Sequence, residues 1–251
     1  MLKFLPTTIA FVLGLIAFFI FQSSFHLSYW YLIIWIILFA IIQFFGAYFI
    51  GLNFHLKSIN SLNTNEKKVL LTFDDGPHSN TVKVLEVLKK HNVKGLFFII
   101  GKNIQGKEFI LNQIVAEGHQ IGNHSFSHHY WIDVWTTKKV TEDFATCQKL
   151  IESYQANTKF FRPPYGVTNP NIAKAIKALE LQSIGWNVRS YDTSIKEVEK
   201  IKQRIISKLK PGAIILLHDR LDFMPELLDS LVPAIKEKGY CFFDINTDFV
   251  S

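Results

Sequence analysis

Two adjacent carboxylates, Asp74 and Asp75, stand in the segment Thr72-Phe73-Asp74-Asp75-Gly76-Pro77, directly after the short apolar run Val69 to Phe73. Holding two such groups close together is unfavourable unless a cation or hydrogen-bond donors compensate, so one is a candidate metal ligand and the other a candidate base. Asp, Gly and Pro in this order also build ordinary turns. Further along comes His124-Ser125-Phe126-Ser127-His128. Histidines four residues apart share one face of a helical turn, and their imidazoles can close on a single divalent ion. Asp75, His124 and His128 together offer one oxygen and two nitrogens and leave positions for water and substrate, the pattern of a catalytic rather than a closed structural site. His119 and His129 fall outside the spacing and are read as structural or solvated.

Three more polar segments follow apolar runs: Phe161-Arg162-Pro163-Pro164-Tyr165-Gly166, then 185–193 with Trp186, Arg189, Tyr191, Asp192 and Thr193, then Leu216-Leu217-His218-Asp219. The elements that must position them alternate. Strands are expected at 69–73, 95–100, 120–122, 159–162, 182–186, 213–218 and 240–243, and helices near 81–90, 107–117, 137–155, 171–179, 194–208 and 225–238. Continuously apolar strands such as Ala213 to Leu217 suit a parallel sheet covered on both faces. The alternation predicts an α/β fold, either a closed or incomplete barrel or an open doubly wound sheet, and such folds place their sites where the strands end.

The 251 residues are 49% hydrophobic with a mean hydropathy of +0.17, and the apolar excess lies at one end. Up to Leu56 the only formal charge is Lys3. Residues 4–21 and 29–52 are uncharged and, as helices, reach about 27 and 36 Å against a hydrocarbon core of about 30 Å. Residues 1–56 therefore read as a membrane hairpin with its turn at Gln22 to Ser28, 57–66 as a polar linker and 67–251 as the catalytic domain. A cleaved secretory signal is the alternative for the first span. Lys3, Lys57, Lys67 and Lys68 flank the hairpin and the turn carries no charge, so the positive-inside rule predicts an integral membrane protein whose large domain faces the cytoplasm. Cys147 and Cys241 match no disulfide or Cys-x-x-Cys framework and are read as core residues. The basic excess lacks interleaved stacking aromatics, which argues against a nucleic-acid partner and leaves membrane lipid and the substrate as partners.

Taken in order, these motifs resemble the polysaccharide deacetylases of carbohydrate esterase family 4, over about Lys67 to Phe243. The resemblance implies a distorted, incomplete (β/α) barrel and hydrolytic removal of an N-acetyl group from an N-acetylhexosamine-containing glycan. It implies Asp74 as general base, a divalent metal, usually zinc, held by Asp75, His124 and His128, and water as nucleophile. Arg162 matches the residue that orients the base, and His218, oriented by Asp192, matches the general acid. The Tyr165 backbone N–H would stabilise the oxyanion, and Leu216 would receive the acetyl methyl. The family's Asp-x-x-Asp-Trp segment is altered, with Arg189 at the first Asp and Thr193 at the Trp. Arg189 could therefore meet an anionic substrate group, and Trp186 or Tyr191 could supply the lost sugar wall. Two other readings remain open: a deacylase or deformylase of a lipid-linked sugar at the cytoplasmic leaflet, and a glycan-binding module without turnover.

Overall fold

The apolar run that precedes Asp74 forms the middle of the sheet. In the computed structural model, which describes residues 3–155 and 157–245, β2 (Lys68–Gly76) pairs in parallel with β3 (Gly95–Ile99) on one side and β8 (Ala213–His218) on the other. Residues 69–74 are buried, which explains a continuous apolar run instead of an alternating one. The ladder runs β1 (Ser58–Ile59), β6 (Gln182–Ile184), β5 (Phe160–Phe161), β4 (Gln120–Asn123), β3, β2, β8, β7 (Val188–Arg189), and β9 (Cys241–Phe242) adds to the start of β2. Every pairing between these strands is parallel.

One connection dictates the shape of this sheet. β6 and β7 sit near opposite ends of the ladder, yet only residues 185–187 separate them, a span of at most about 14 Å. The sheet must therefore curl until its ends nearly meet. Gly185 N–H donates to Ile59 O at 2.8 Å and Asn187 N–H to Ile214 O at 3.2 Å, tying the crossing segment to both ends. The result is the incomplete barrel rather than the open sheet, and the expected strand 182–186 ends at Ile184, where this crossing begins, with a further strand, β7, starting beyond it at Val188.

Period-two alternation sorts the side chains of this curled sheet. Leu70, Leu96, Phe98, Ile184 and Ile214 fill one cluster inside it. Leu71, Phe73, Phe97, Ile99 and Ile215 face outward against Val84, Leu85 and Leu88 of α3 (Ser79–Lys90) and Leu227, Leu228 and Leu231 of α8 (Met224–Glu237). The remaining outer helices are α4 (Glu108–Ala116), α5 (Thr137–Glu152), α6 (Pro170–Ala178) and α7 (Val198–Ser207). Asp74, Leu216 and His218 continue the inward phase of β2 and β8, so the alternation that fills the interior also delivers them to its open end.

Two readings of the sequence are corrected here. Segment 57–66 does not behave as a free linker: β1 pairs with β6, Ser61 bridges to Ala213, and Leu62 is buried. Its polar side chains are used inward, as where Ser58 Oγ and Ser183 Oγ share a hydrogen bond of 2.8 Å. Cys147 is buried with its thiol donating to Ile99 O at 3.4 Å, whereas Cys241 is exposed on an edge strand and is not a core residue.

The first two helices, α1 (Phe4–Phe25) and α2 (Tyr29–Tyr48), span about 33 and 30 Å and are long and apolar enough to cross a membrane by length and composition. Within them only Thr7 and Gly46 are buried. They hold each other through Phe11 stacked on Phe39 at 3.9 Å and the Trp35 indole N–H donating to Phe11 O at 3.2 Å. Phe4 N–H donates to Phe54 O and Thr168 N–H to Ala47 O, which seats the open end of the hairpin on the barrel. Residues 1–2 and 246–251, placed in the hairpin and catalytic ranges from sequence, lie outside the described residues.

Candidate active site

In a regular strand Asp74 and Asp75 would point to opposite faces. The register of β2 against β3 slips between Phe73 and Gly76, and Asp75 adopts a left-handed conformation with φ 74°. This bulge lets both carboxylates face the cleft. Asp75 Oδ1 lies 3.7 Å from His124 Nε2 and 3.6 Å from His128 Nε2, and the three donor atoms fall within 4.8 Å of one another.

The two histidines reach that position by a different route from the one their spacing suggested. Residues 124–128 form a loop, not a helical turn. Ser125 (φ 71°) and His128 (φ 44°) turn the chain, Asn123 Oδ1 accepts from Ser125 N–H, and Ser125 Oγ accepts from His128 N–H. The Asp143 carboxylate, brought in by α5, accepts from Phe126 N–H and Ser127 N–H. The loop thus brings the two ring centroids to 4.9 Å, with the rings tilted by 51°.

This donor set fits a divalent cation. His124 Nδ1 sits 2.8 Å from Arg162 O, a partner that can only accept, so Nδ1 carries a hydrogen and Nε2 is the atom turned toward Asp75 as the candidate cation donor. Burial, then the neighbouring His124, push the His128 imidazole down to about 4, so it is neutral at physiological pH. Burial by itself raises the Asp75 carboxyl, but His124, His218, Arg220 and His128 outweigh it and hold the group below the ordinary carboxylate range. One carboxylate and two neutral imidazoles are what such an ion takes.

Asp74 is held from the other side by Arg162, which is entirely buried. Its guanidinium donates from Nη1 to Asp74 Oδ1 at 2.7 Å and Thr72 Oγ1 at 2.8 Å, from Nε to Ile184 O at 3.0 Å, and from Nη2 to Gly185 O at 2.8 Å. It also lies 4.2 Å from the Phe98 ring centroid and 5.5 Å from that of Trp186. Burial lowers the Arg162 pKa and the Asp74 charge opposes that shift, so each charge depends on the other.

Across the cleft, Asp192 receives both the His218 backbone N–H (2.8 Å, Oδ2) and its Nδ1 (2.9 Å, Oδ1). Burial lowers the His218 pKa, but the hydrogen bond and charge of Asp192 outweigh this and raise it. Asp74, Asp75, His124, His128, Tyr165, Leu216 and His218 line one cleft of about 400 Å³ together with Trp186, Arg189 and Thr193. Tyr165 (φ 58°) packs its ring against His128 at 4.6 Å. The candidate acid, base, cation and substrate residues named from sequence therefore meet in, or directly support, this cleft, whereas Tyr191, the other candidate sugar wall, lines a neighbouring groove instead.

Three contributors were not singled out. Arg220 Nε pairs with Asp75 Oδ2 at 2.9 Å, and only its closeness to His218 in the chain hinted at this. Asp219 is fully buried, accepts from Thr81 Oγ1 at 2.6 Å and is raised to about 7 by that burial. Tyr48, the last residue of α2, lines the cleft although it belongs to the hairpin, and nothing local in the sequence signals it.

The family model for polysaccharide deacetylases matches residues 61–184. The chain is 33% identical over 215 residues to the peptidoglycan-N-acetylmuramic acid deacetylase PdaA of Bacillus subtilis, covering 82% of this chain and 76% of that protein. Its fold superposes on the Bc1960 peptidoglycan N-acetylglucosamine deacetylase with a TM-score of 0.69 and 31% identity, covering 74% and 89% of the two chains. It superposes equally well, TM-score 0.69 at 28% identity over 74% and 66%, on BA3943, a CE4 family pseudoenzyme from Bacillus anthracis. The likeness extends across sequence, fold and motif order, and the chain belongs to the polysaccharide deacetylase family, carbohydrate esterase family 4.

Proposed function

We propose that the protein is a membrane-anchored, metal-dependent hydrolase that removes N-acetyl groups from an N-acetylhexosamine-containing glycan. The observation that carries this reading is the pairing of Asp74 with Arg162 and of His218 with Asp192 on either side of Asp75, His124 and His128. A divalent cation held by those three residues, zinc being the usual one in the family, would polarise the amide carbonyl and acidify water. Asp74 takes the proton from the attacking water, and Arg162 keeps the carboxylate oriented for it. His218 has Nδ1 bound to Asp192, so Nε2 is the atom that protonates the departing amine. The Tyr165 backbone N–H serves the developing oxyanion, Leu216 forms the wall for the acetyl methyl, and Trp186 and Arg189 flank the sugar.

Kinship with a pseudoenzyme means that fold similarity alone does not decide turnover. A glycan-binding module would have no use for an acid, a base and a cation donor set held this closely, and their presence favours the enzyme. α1 and α2 serve as the anchor, and the lysines beside its open end put the catalytic domain, 67–251, on the cytoplasmic side. Reporter fusions at the carboxyl terminus check that orientation.

The test of the activity is acetate release from a defined N-acetylglucosamine oligomer by the full-length protein. Release should fall about a hundredfold or more in Asp74→Asn and on removal of metal by a chelator. Release that persists through both changes would overturn the reading.

A further inference from the structure

A groove of about 610 Å³ runs beside the catalytic cleft, and Tyr48, Trp186 and Arg189 line both. One wall is the end of α2 and the turn after it, with Phe45, Tyr48 and Phe49 each about half exposed. The other wall is basic: Arg189, Arg204 and Lys208 face the groove across Tyr191. Both guanidinium groups lie against the Tyr191 ring, at 4.9 Å for Arg189 and 4.3 Å for Arg204, and Arg204 Nε donates to Arg189 O at 3.0 Å. Among the described residues none of these three basic side chains lies within ion-pair distance of a carboxylate.

The apolar wall is the end of a helix long and apolar enough to cross a membrane, the basic wall pairs with no carboxylate among the described residues, and the groove shares Tyr48, Trp186 and Arg189 with the cleft that holds Asp74 and His218. Further exposed rings lie nearby, with Tyr130 6.3 Å from the ring of Tyr165 on the cleft wall. Tyr130 and Trp131 are exposed, and their segment is tied to α2 through Asn169 Nδ2 donating to Asp133 O and Thr168 N–H donating to Ala47 O. Such rings favour the level of lipid headgroups.

We propose that the substrate is an N-acetylated saccharide joined through phosphate to a membrane lipid, with the phosphate bound by Arg189, Arg204 and Lys208 and the lipid chain leaving along Phe45 and Phe49. Guanidinium groups suit a phosphate because they offer several donors in a fixed plane. This rests on the deacetylase reading above and names its substrate class. A polymer remote from the membrane would use neither wall.

The full-length, metal-loaded protein in phosphatidylcholine vesicles is given three substrates: a long-chain alkyl phosphodiester of N-acetylglucosamine, the alkyl glycoside without phosphate, and a water-soluble N-acetylglucosamine oligomer. Deacetylation of the phosphodiester should exceed that of the other two by about tenfold or more, in kcat/KM, and added salt should reduce the excess. Arg204→Gln and Lys208→Gln should each lower the ratio of phosphodiester to oligomer turnover, while Arg204→Lys, which keeps the charge, should restore most of it. Binding of the phosphodiester by each variant, measured without turnover, should weaken in the same order. Equal use of the three substrates, or a ratio that the variants leave unchanged, overturns the inference while the deacetylase reading stands. Loss of the preference on adding phosphatidylglycerol assigns the groove to a bulk anionic headgroup and also overturns it. No turnover of any of the three removes the deacetylase reading and this inference with it.

Discussion

The hairpin and the catalytic cleft are opposite solutions to the same problem of where polar and apolar groups go. In the cleft, Asp74, Arg162 and Asp192 are buried, and charged groups are held by named partners: Arg162 with Asp74, Asp192 with His218, and the exposed Arg220 with Asp75. In α1 and α2 the side chains are apolar on all sides, and most remain exposed to whatever surrounds the protein. The cleft supplies its own environment, whereas the hairpin needs one supplied to it, which is the physical argument for a bilayer there. The two regions meet over a few residues, among them Ala47 with Thr168 and Tyr48 on the cleft wall.

The sharpest way to break the cleft is to remove one member of a buried charge pair. Arg162→Leu leaves the Asp74 carboxylate buried and uncompensated, and should cost about 3–5 kcal/mol in urea unfolding as well as activity. Adding Asp74→Leu should return part of that stability and none of the activity, separating the charge penalty from the chemistry. The corresponding attack on the hairpin is Ile37→Lys, in the middle of α2. It should disfavour insertion by about 2.5–3.5 kcal/mol, read as protein lost from membranes on carbonate extraction. Acetate release from a soluble oligomer in detergent should change little, because Ile37 lies far along the helix from Tyr48.

Asp192→Asn tests the acid. Without the carboxylate, burial governs His218 and its pKa falls, so the alkaline limb of the kcat profile should move to lower pH. The loss at neutral pH should be about ten- to a hundredfold. An unmoved limb would show that another group sets it. The smallest effect belongs to the end of α2 next to the boundary: Gly46→Ala places a Cβ into the Phe54 ring and should cost about 1 kcal/mol through overpacking of α2 against the turn that follows it. If that variant alters turnover of membrane-linked substrates more than of soluble ones, the two regions work as one site.

Much of this was legible in the residues. The order of Asp74-Asp75, His124 with His128, Arg162, Asp192 and His218 named the chemistry, and the apolar alternation named the α/β fold. The histidine spacing picked two rings that do come together, but by another route than a helical turn, because the loop is built by Asn123, Ser125 and Asp143, and the last of these comes from a separate helix. The polar stretch 57–66 looked like a linker because composition does not reveal that Ser58 and Ser183 face each other from distant parts of the chain.

By itself the sequence determined which side chains could act as acid, base and cation donors, and that the first two helices are long and apolar enough to cross a membrane. These are local properties of residue type and periodicity. Only the tertiary structure decided that residues 185–187 cross between the sheet's ends and force it to curl, that Arg220 reaches Asp75, and that the end of α2 forms a wall of the cleft. Each of those depends on contacts between segments far apart in the chain, where packing and hydrogen-bond satisfaction of the whole molecule select the partner and no local pattern carries the choice.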